Sequence, residues 1–299
     1  MRKVSGVLMA AFFTLFFAGA ALAGPSRALI QEMGVTTGAE EVNVDLDVVS
    51  HSFNVVSSND TTLGAGNATV GGTTVSSVNI GLIENLELRI GRLPGFRSYL
   101  TLPAVGAVAL NPAGNNYGLT VKGAIPGVPG LAACVGYGTV SETNIVKGNS
   151  SADASGSSTR IGAAYTYLGP VILNAALDFG KDSGKSAGAN LGGVTTIETA
   201  VAALYPLRST LLVGAELHYS KMSVGDDEAV AGTQKHTITA LAPALGARAV
   251  AGNWTIDAVV ALLGTSIKVK GDPAYGSTLQ ETSKTTVVGV PTLRVNYKF

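Results

Sequence analysis

A chain of 299 residues in which 20 basic residues balance 20 acidic ones has no cationic excess with which to hold nucleic acid. Charged residues make up only 13% and hydrophobic ones 46%, with 38 glycines and a mean hydropathy of +0.34, too apolar for an ordinary soluble exported protein of this size. The single cysteine, Cys134, rules out an intramolecular disulfide, so stability must come from elsewhere.

Arg2 and Lys3 precede an apolar run from Val7 to Ala20, and Ala21-Leu22-Ala23 gives the small-x-small pattern that signal peptidase accepts before Gly24. Residues 1–23 are therefore expected to be a cleaved secretory signal. The run is too short for a membrane anchor, which needs about 20 apolar residues, and no later segment approaches 18 in a row. Without helical spans, a chain this apolar can enter a membrane only by strands that hide half their character through alternation.

From residue 42 onward that alternation is present. Val42, Val44, Leu46 and Val48 alternate with Asn43, Asp45 and Asp47; after a Gly/Thr/Asn/Ser-rich stretch, Val78 to Leu82 and Leu86 to Ile90 form the second and third strands. Tyr117 to Val121, Leu131 to Tyr137, Ile161 to Tyr167, Val171 to Phe179, Ile197 to Tyr205 and Leu211 to Tyr219 follow. Residues 236–250 make a tenth strand with a phase shift near Pro243 such as a bulge would cause. Trp254 to Leu262 and Leu293 to Phe299 bring the count to twelve. A chain ending mid-strand needs a neighbour for that strand, and a closed barrel leaves no edge unpaired.

The connections alternate in length. Short ones fall near 83–85, 125–130, 168–170, 206–209 and 251–253, and long ones near 57–73, 93–116, 141–157, 180–192, 221–235 and 265–283. Transmembrane barrels have short periplasmic turns and longer extracellular loops. Tyr165, Tyr167, Tyr205, Trp254, Tyr297 and Phe299 fall at short-turn strand ends, and Phe53, Tyr117, Tyr137, Phe179 and Tyr219 at the others, as two girdles would. A soluble sandwich would put its aromatics mid-strand, in its core. Residues 41–299 are thus expected to be one barrel, with residues 24–40 a periplasmic tail or a small plug.

The polar phase points Asp45, Asp47, Glu87, Asp178, Glu198, Glu216 and Asp257 into the lumen, against Arg89, Lys122, Arg160, Arg248, Arg294 and Lys298. This near-balance suits pairs across a narrow interior, either bracing the wall or setting a transverse field in a pore. Gly81, Gly91, Gly118, Gly136, Gly138, Gly162, Ala164, Ala176, Ala200, Ala202, Gly214 and Gly246 share that phase; they either leave a narrow channel or only let strands bend. The stretch from Phe96 to Leu110, with Phe96, Tyr99, Leu100 and Leu102, is too apolar for an extracellular loop. It folds inward as a constriction, pairs as a hairpin that raises the count to fourteen, or meets a partner.

An outer-rim hydrolase needs a nucleophile with a histidine and an acid. His51, His218 and His236 are the only histidines; His218 shares its phase with Glu216, but no G-x-S-x-G elbow accompanies them. The pair reads as a local hydrogen bond. No metal-ligand spacing or nucleotide loop occurs, so neither an enzyme nor a cofactor is expected.

The strand pattern, the leader and the terminal Tyr297-Lys298-Phe299 resemble the bacterial outer-membrane β-barrel class over nearly the whole mature chain. That resemblance implies an assembly signal at Tyr297 and Phe299, read by the barrel assembly machinery, and a setting of outer-membrane lipid. The phrase Gly81-Leu82-Ile83-Glu84-Asn85-Leu86-Glu87-Leu88 is similar to the G-L-T-x-x-L-E-L turn of small-molecule and aromatic-compound uptake porins, with Ile83 in place of Thr. It covers one hairpin and transfers no functional residues. The expectation is an all-β, antiparallel up-and-down transmembrane barrel, monomeric or homo-oligomeric, that passes small solutes passively. The alternatives are a closed barrel displaying loops or sheathing a partner and, third, an outer-membrane hydrolase.

Overall fold

The computed structural model describes residues 28–29, 33–59, 62–91, 115–143, 153–186, 189–224, 235–270 and 280–299, in places by backbone alone. Among them every regular element is a strand: β1 (Val42–Asn59), β2 (Thr62–Ile83), β3 (Leu86–Gly91), β4 (Asn115–Ala124), β5 (Leu131–Thr143), β6 (Asp153–Leu168), β7 (Ile172–Ser186), β8 (Ala189–Arg208), β9 (Leu211–Val224), β10 (Lys235–Ala251), β11 (Trp254–Lys270) and β12 (Gln280–Lys298). Each pairs antiparallel with its neighbours in the chain, and β1 closes on β12. The sheet is therefore a closed barrel of twelve strands without an edge. At the seam Val44 stands opposite Tyr297, Leu46 opposite Val295 and Asp47 opposite Arg294, and the Phe299 amide donates to the Val42 carbonyl at 2.8 Å.

Burial flips residue by residue along the strands, as period-2 geometry requires. In β5, Ala132 and Cys134 are buried while Val135 and Tyr137 face out; in β7, Asn174, Ala176 and Asp178 are buried while Leu173, Leu177 and Phe179 face out. Outward positions on the other strands carry Leu119, Ile161, Val201, Leu217, Leu245 and Ile256, an apolar wall of the kind lipid demands. At the C-terminal end Trp254 packs on Tyr297 with tilted ring planes and centroids 4.5 Å apart, and Tyr297 meets Phe299 edge-on at 4.6 Å. The side chains of Phe53 and Tyr117 lie outside the described residues.

Two expectations are corrected. The Gly/Ser/Thr/Asn-rich stretches read as long loops are in large part strand: Asn59 stands opposite Thr62, Thr143 opposite Asp153, Ser186 opposite Ala189 and Lys270 opposite Gln280. A ladder needs only backbone groups, and threonine favours strands, so pairing overrides the turn-like composition. Nor does β10 shift phase at Pro243. Its register to β11 runs from Leu241 opposite Gly264 to Ala244 opposite Ala261 without change, and Pro243 itself faces out opposite Leu217 of β9. The ladder to β11 skips Ala242 and Pro243 and resumes in step. A register shift does occur in β12 close to Pro291, between Ala261 and Leu263 of β11.

Candidate functional site

The interior is the candidate site, and its first surprise is what lies in it. Ala28, Leu29 and Met33, which belong to no strand, are 0%, 1% and 0% exposed. They pack with inward-facing Ile172, Ala202, Leu204, Leu212, Ala244 and Val259, with Val35 and Val250 partly buried against the group. Small wall residues make the room: Leu29 sits over Gly246, its two Cδ atoms 3.0 and 3.2 Å from where a Cβ would stand.

From there the segment crosses to the opposite wall. The Ala28 carbonyl accepts from Arg248 Nη2 at 2.7 Å in β10; the Gly34 amide donates to Thr166 Oγ1 at 2.7 Å in β6; the Thr37 amide donates to Glu87 Oε2 at 2.9 Å in β3. A Cβ on Gly34 would overlap the Gly130 and Ala164 carbonyls, and one on Gly81 would overlap the Gly38 carbonyl. Both glycines are needed because backbone lies directly on backbone there. Glu40 and Gly81 then exchange into the ladder, the Glu40 amide donating to the Gly81 carbonyl at 3.0 Å and the Gly81 amide to the Glu41 carbonyl at 2.9 Å. All these wall contacts lie at the short-turn end, so residues 28–29 and 33–41 form a bar within that mouth.

Around and beyond the bar is a layer of buried charge. Arg248 donates from Nε and Nη2 to the two oxygens of Asp257 at 2.7 and 2.9 Å, and Arg294 reaches the same carboxylate at 3.4 Å. Arg89 bridges Glu87 at 3.1 Å and Asn79 at 2.6 Å. Arg160 meets Asp178 at 3.4 Å, and His218 Nε2 lies 2.6 Å from Glu216 Oε1. These pairs lie within one strand or between neighbouring strands, and each offsets part of the cost of burying its charges alone. A void of about 10 Å³, room for roughly one water, is lined by Lys122, Cys134, Gly162, Ala164, Ala176 and Asp178 among others.

Of the residues singled out in the sequence, Glu87, Arg89, Lys122, Arg160, Asp178, Glu198, Glu216, His218, Arg248, Asp257 and Arg294 are all buried in the interior. Lys298 is not; it sits at the mouth, a quarter exposed, paired with Glu41. Asp45 and Asp47 fall in β1 opposite Asn296 and Arg294, with side chains outside the described residues. Phe96, Tyr99, Leu100 and Leu102 also lie outside them. Residues missed by sequence reasoning are Ala28, Leu29, Met33 and Thr37 of the bar and the polar wall residues Asn79, Thr166 and Asn174, the last two hydrogen-bonded at 2.8 Å. Only the apolar character of Ala28-Leu29-Ile30 and Met33 hinted at burial. Among the described residues no group of three or more metal-ligating side chains gathers.

No family model matches the chain, and no curated protein does. Solved structures similar to it are outer-membrane barrels. The translocator domain of the autotransporter NalP from Neisseria meningitidis is 14% identical with a TM-score of 0.43, over 88% of this chain and 90% of that one. The Pseudomonas putida toluene transporter TodX is 10% identical with a TM-score of 0.37, over 91% and 93%. An anion-selective porin from Comamonas acidovorans is 13% identical with a TM-score of 0.30, over 87% and 100%. The outer membrane protease OmpT from Escherichia coli is among the others. Their activities differ, and none carries over.

Proposed function

We propose that this protein is a small-solute channel of the bacterial outer membrane that its own N-terminal segment holds closed. The observation behind this reading is the seat of Leu29 and Met33, which fill the mouth of a barrel whose inward phase is otherwise rich in Ala and Gly. Twelve strands enclose an interior between the side-chain-filled eight-stranded barrels and the open porins of 16 to 18. In such a bore, a segment not covalently part of the wall is what decides between passage and closure. The buried His218 and Glu216 serve the wall in this reading, not catalysis.

The paired charges favour a second reading, a permanently closed barrel that displays its connections or binds a partner. Swelling of proteoliposomes in small sugars separates the two, using the full chain and its Leu29→Asp/Met33→Asp variant, in which two carboxylates cannot remain in the apolar seat. A gated channel gives slow swelling with the wild type and at least tenfold faster swelling with the variant. Equal, background swelling in both, with the variant inserted, favours the permanently closed barrel.

A further inference from the structure

The seat under the N-terminal segment has a composition of its own. It is an apolar cup formed by Ile172, Leu204, Leu212 and Val259, with Gly246 leaving the space that Leu29 occupies. At its rim stands Arg248, which gives one Nη2 hydrogen bond to the Ala28 carbonyl, 2.7 Å away, while holding Asp257 with Nε and the same Nη2. What the cup now holds is a branched four-carbon aliphatic group one residue removed from an oxygen acceptor. We propose that the cup is a binding site for short branched aliphatic carboxylates, and that Ala28-Leu29 occupies it as an internal stand-in.

The chemistry runs from three features. Methyl-sized complementarity selects an aliphatic body of leucine size, since the surrounding side chains are packed to its shape. A guanidinium at the rim hydrogen-bonds a carboxylate more strongly than the neutral carbonyl that it now holds, because the charge-assisted bond is the stronger kind. A guanidinium offers an ammonium head of equal size no acceptor, and both oxygens of Asp257 already accept from Arg248. The ligand therefore gains over the segment at the head while matching it in the body.

This inference rests on the proposed function's reading of the segment holding Ala28, Leu29 and residues 33–37 as displaceable, and its test is read by binding, not by conduction. The full chain, its Leu29→Asp/Met33→Asp variant and a Gly34→Leu variant are titrated in detergent micelles with 3-methylbutanoate and with 3-methylbutylamine, followed by ligand-observed NMR. Insertion and closure of each barrel are checked by its heat-modifiable migration. The expected result is that both variants bind the carboxylate at least tenfold more tightly than the amine and at least tenfold more tightly than the wild type does. Equal affinity for acid and amine, or no binding to two correctly folded variants, overturns the proposal. Carboxylate binding without any solute flux would retain the site and sink the channel reading. Flux without head-group discrimination would do the reverse.

Discussion

Asp257 accepts hydrogen bonds from Arg248 while Arg294 stands 3.4 Å away, all three nearly free of solvent. Its removal leaves two guanidiniums facing each other, so Asp257→Ala is expected to cost about 3–5 kcal/mol of stability. Leu245→Ala, on the outward face of the neighbouring β10, loses only apolar transfer into lipid or detergent and leaves no unpaired charge, so it is expected to cost about 2 kcal/mol; denaturant unfolding in micelles compares them. Gly34 gives a different kind of prediction, because a side chain there meets the Gly130 carbonyl. Gly34→Leu unseats the segment without changing any strand residue, and is expected to raise the accessibility of a thiol introduced by Leu29→Cys to a soluble maleimide at least tenfold. An unchanged labelling rate would mean that the segment is not held by that contact. At this scale alternation was enough to orient Arg160 and Asp178, since phase is a local property. It could not show that Leu29 and Met33 lie inside, because a non-periodic stretch carries no face, and its partners lie on strands more than 130 residues away.

β12 is the element on which closure depends. It pairs with β11 through Trp254 opposite Tyr297 and with β1 through Val44 opposite Tyr297, while the terminal amide of Phe299 bonds to Val42. Deletion of Phe299 removes that bond and one ring of the three-ring cluster. It is expected to reduce the amount of folded barrel recovered from membranes severalfold, with unaltered solute flux per inserted molecule; a full yield would deny the C-terminus a role in assembly. Element existence was legible throughout, because twelve alternating runs separated by Gly, Pro and Asn leave little choice of period. Element ends were not. Thr62 to Thr73 reads as loop by composition yet pairs along β1, since a backbone ladder can continue through small and polar residues once its neighbour is fixed. Pro243 misled in the opposite sense: a missing donor interrupts one ladder without obliging the strand to shift.

For the whole molecule, the governing fact is a closed wall with an interior that is occupied. Charged side chains pair along its inner face, within a strand or between neighbouring strands, and the N-terminal segment lies over its short-turn mouth with hydrogen bonds to β3, β6 and β10. From sequence alone the small inward residues meant either a narrow channel or only strand bending. Their space is in part filled by Leu29 and Met33, which come from outside the strands and so escape any count of wall residues. In the channel reading proposed above, release of that segment is the step on which passage depends. Single-channel recording in planar bilayers tests it most directly, comparing the full chain with its Leu29→Asp/Met33→Asp variant at equal insertion. The closed-by-segment channel predicts a nearly silent wild type and discrete conductance steps from the variant; equal step size and frequency in the two proteins would contradict it.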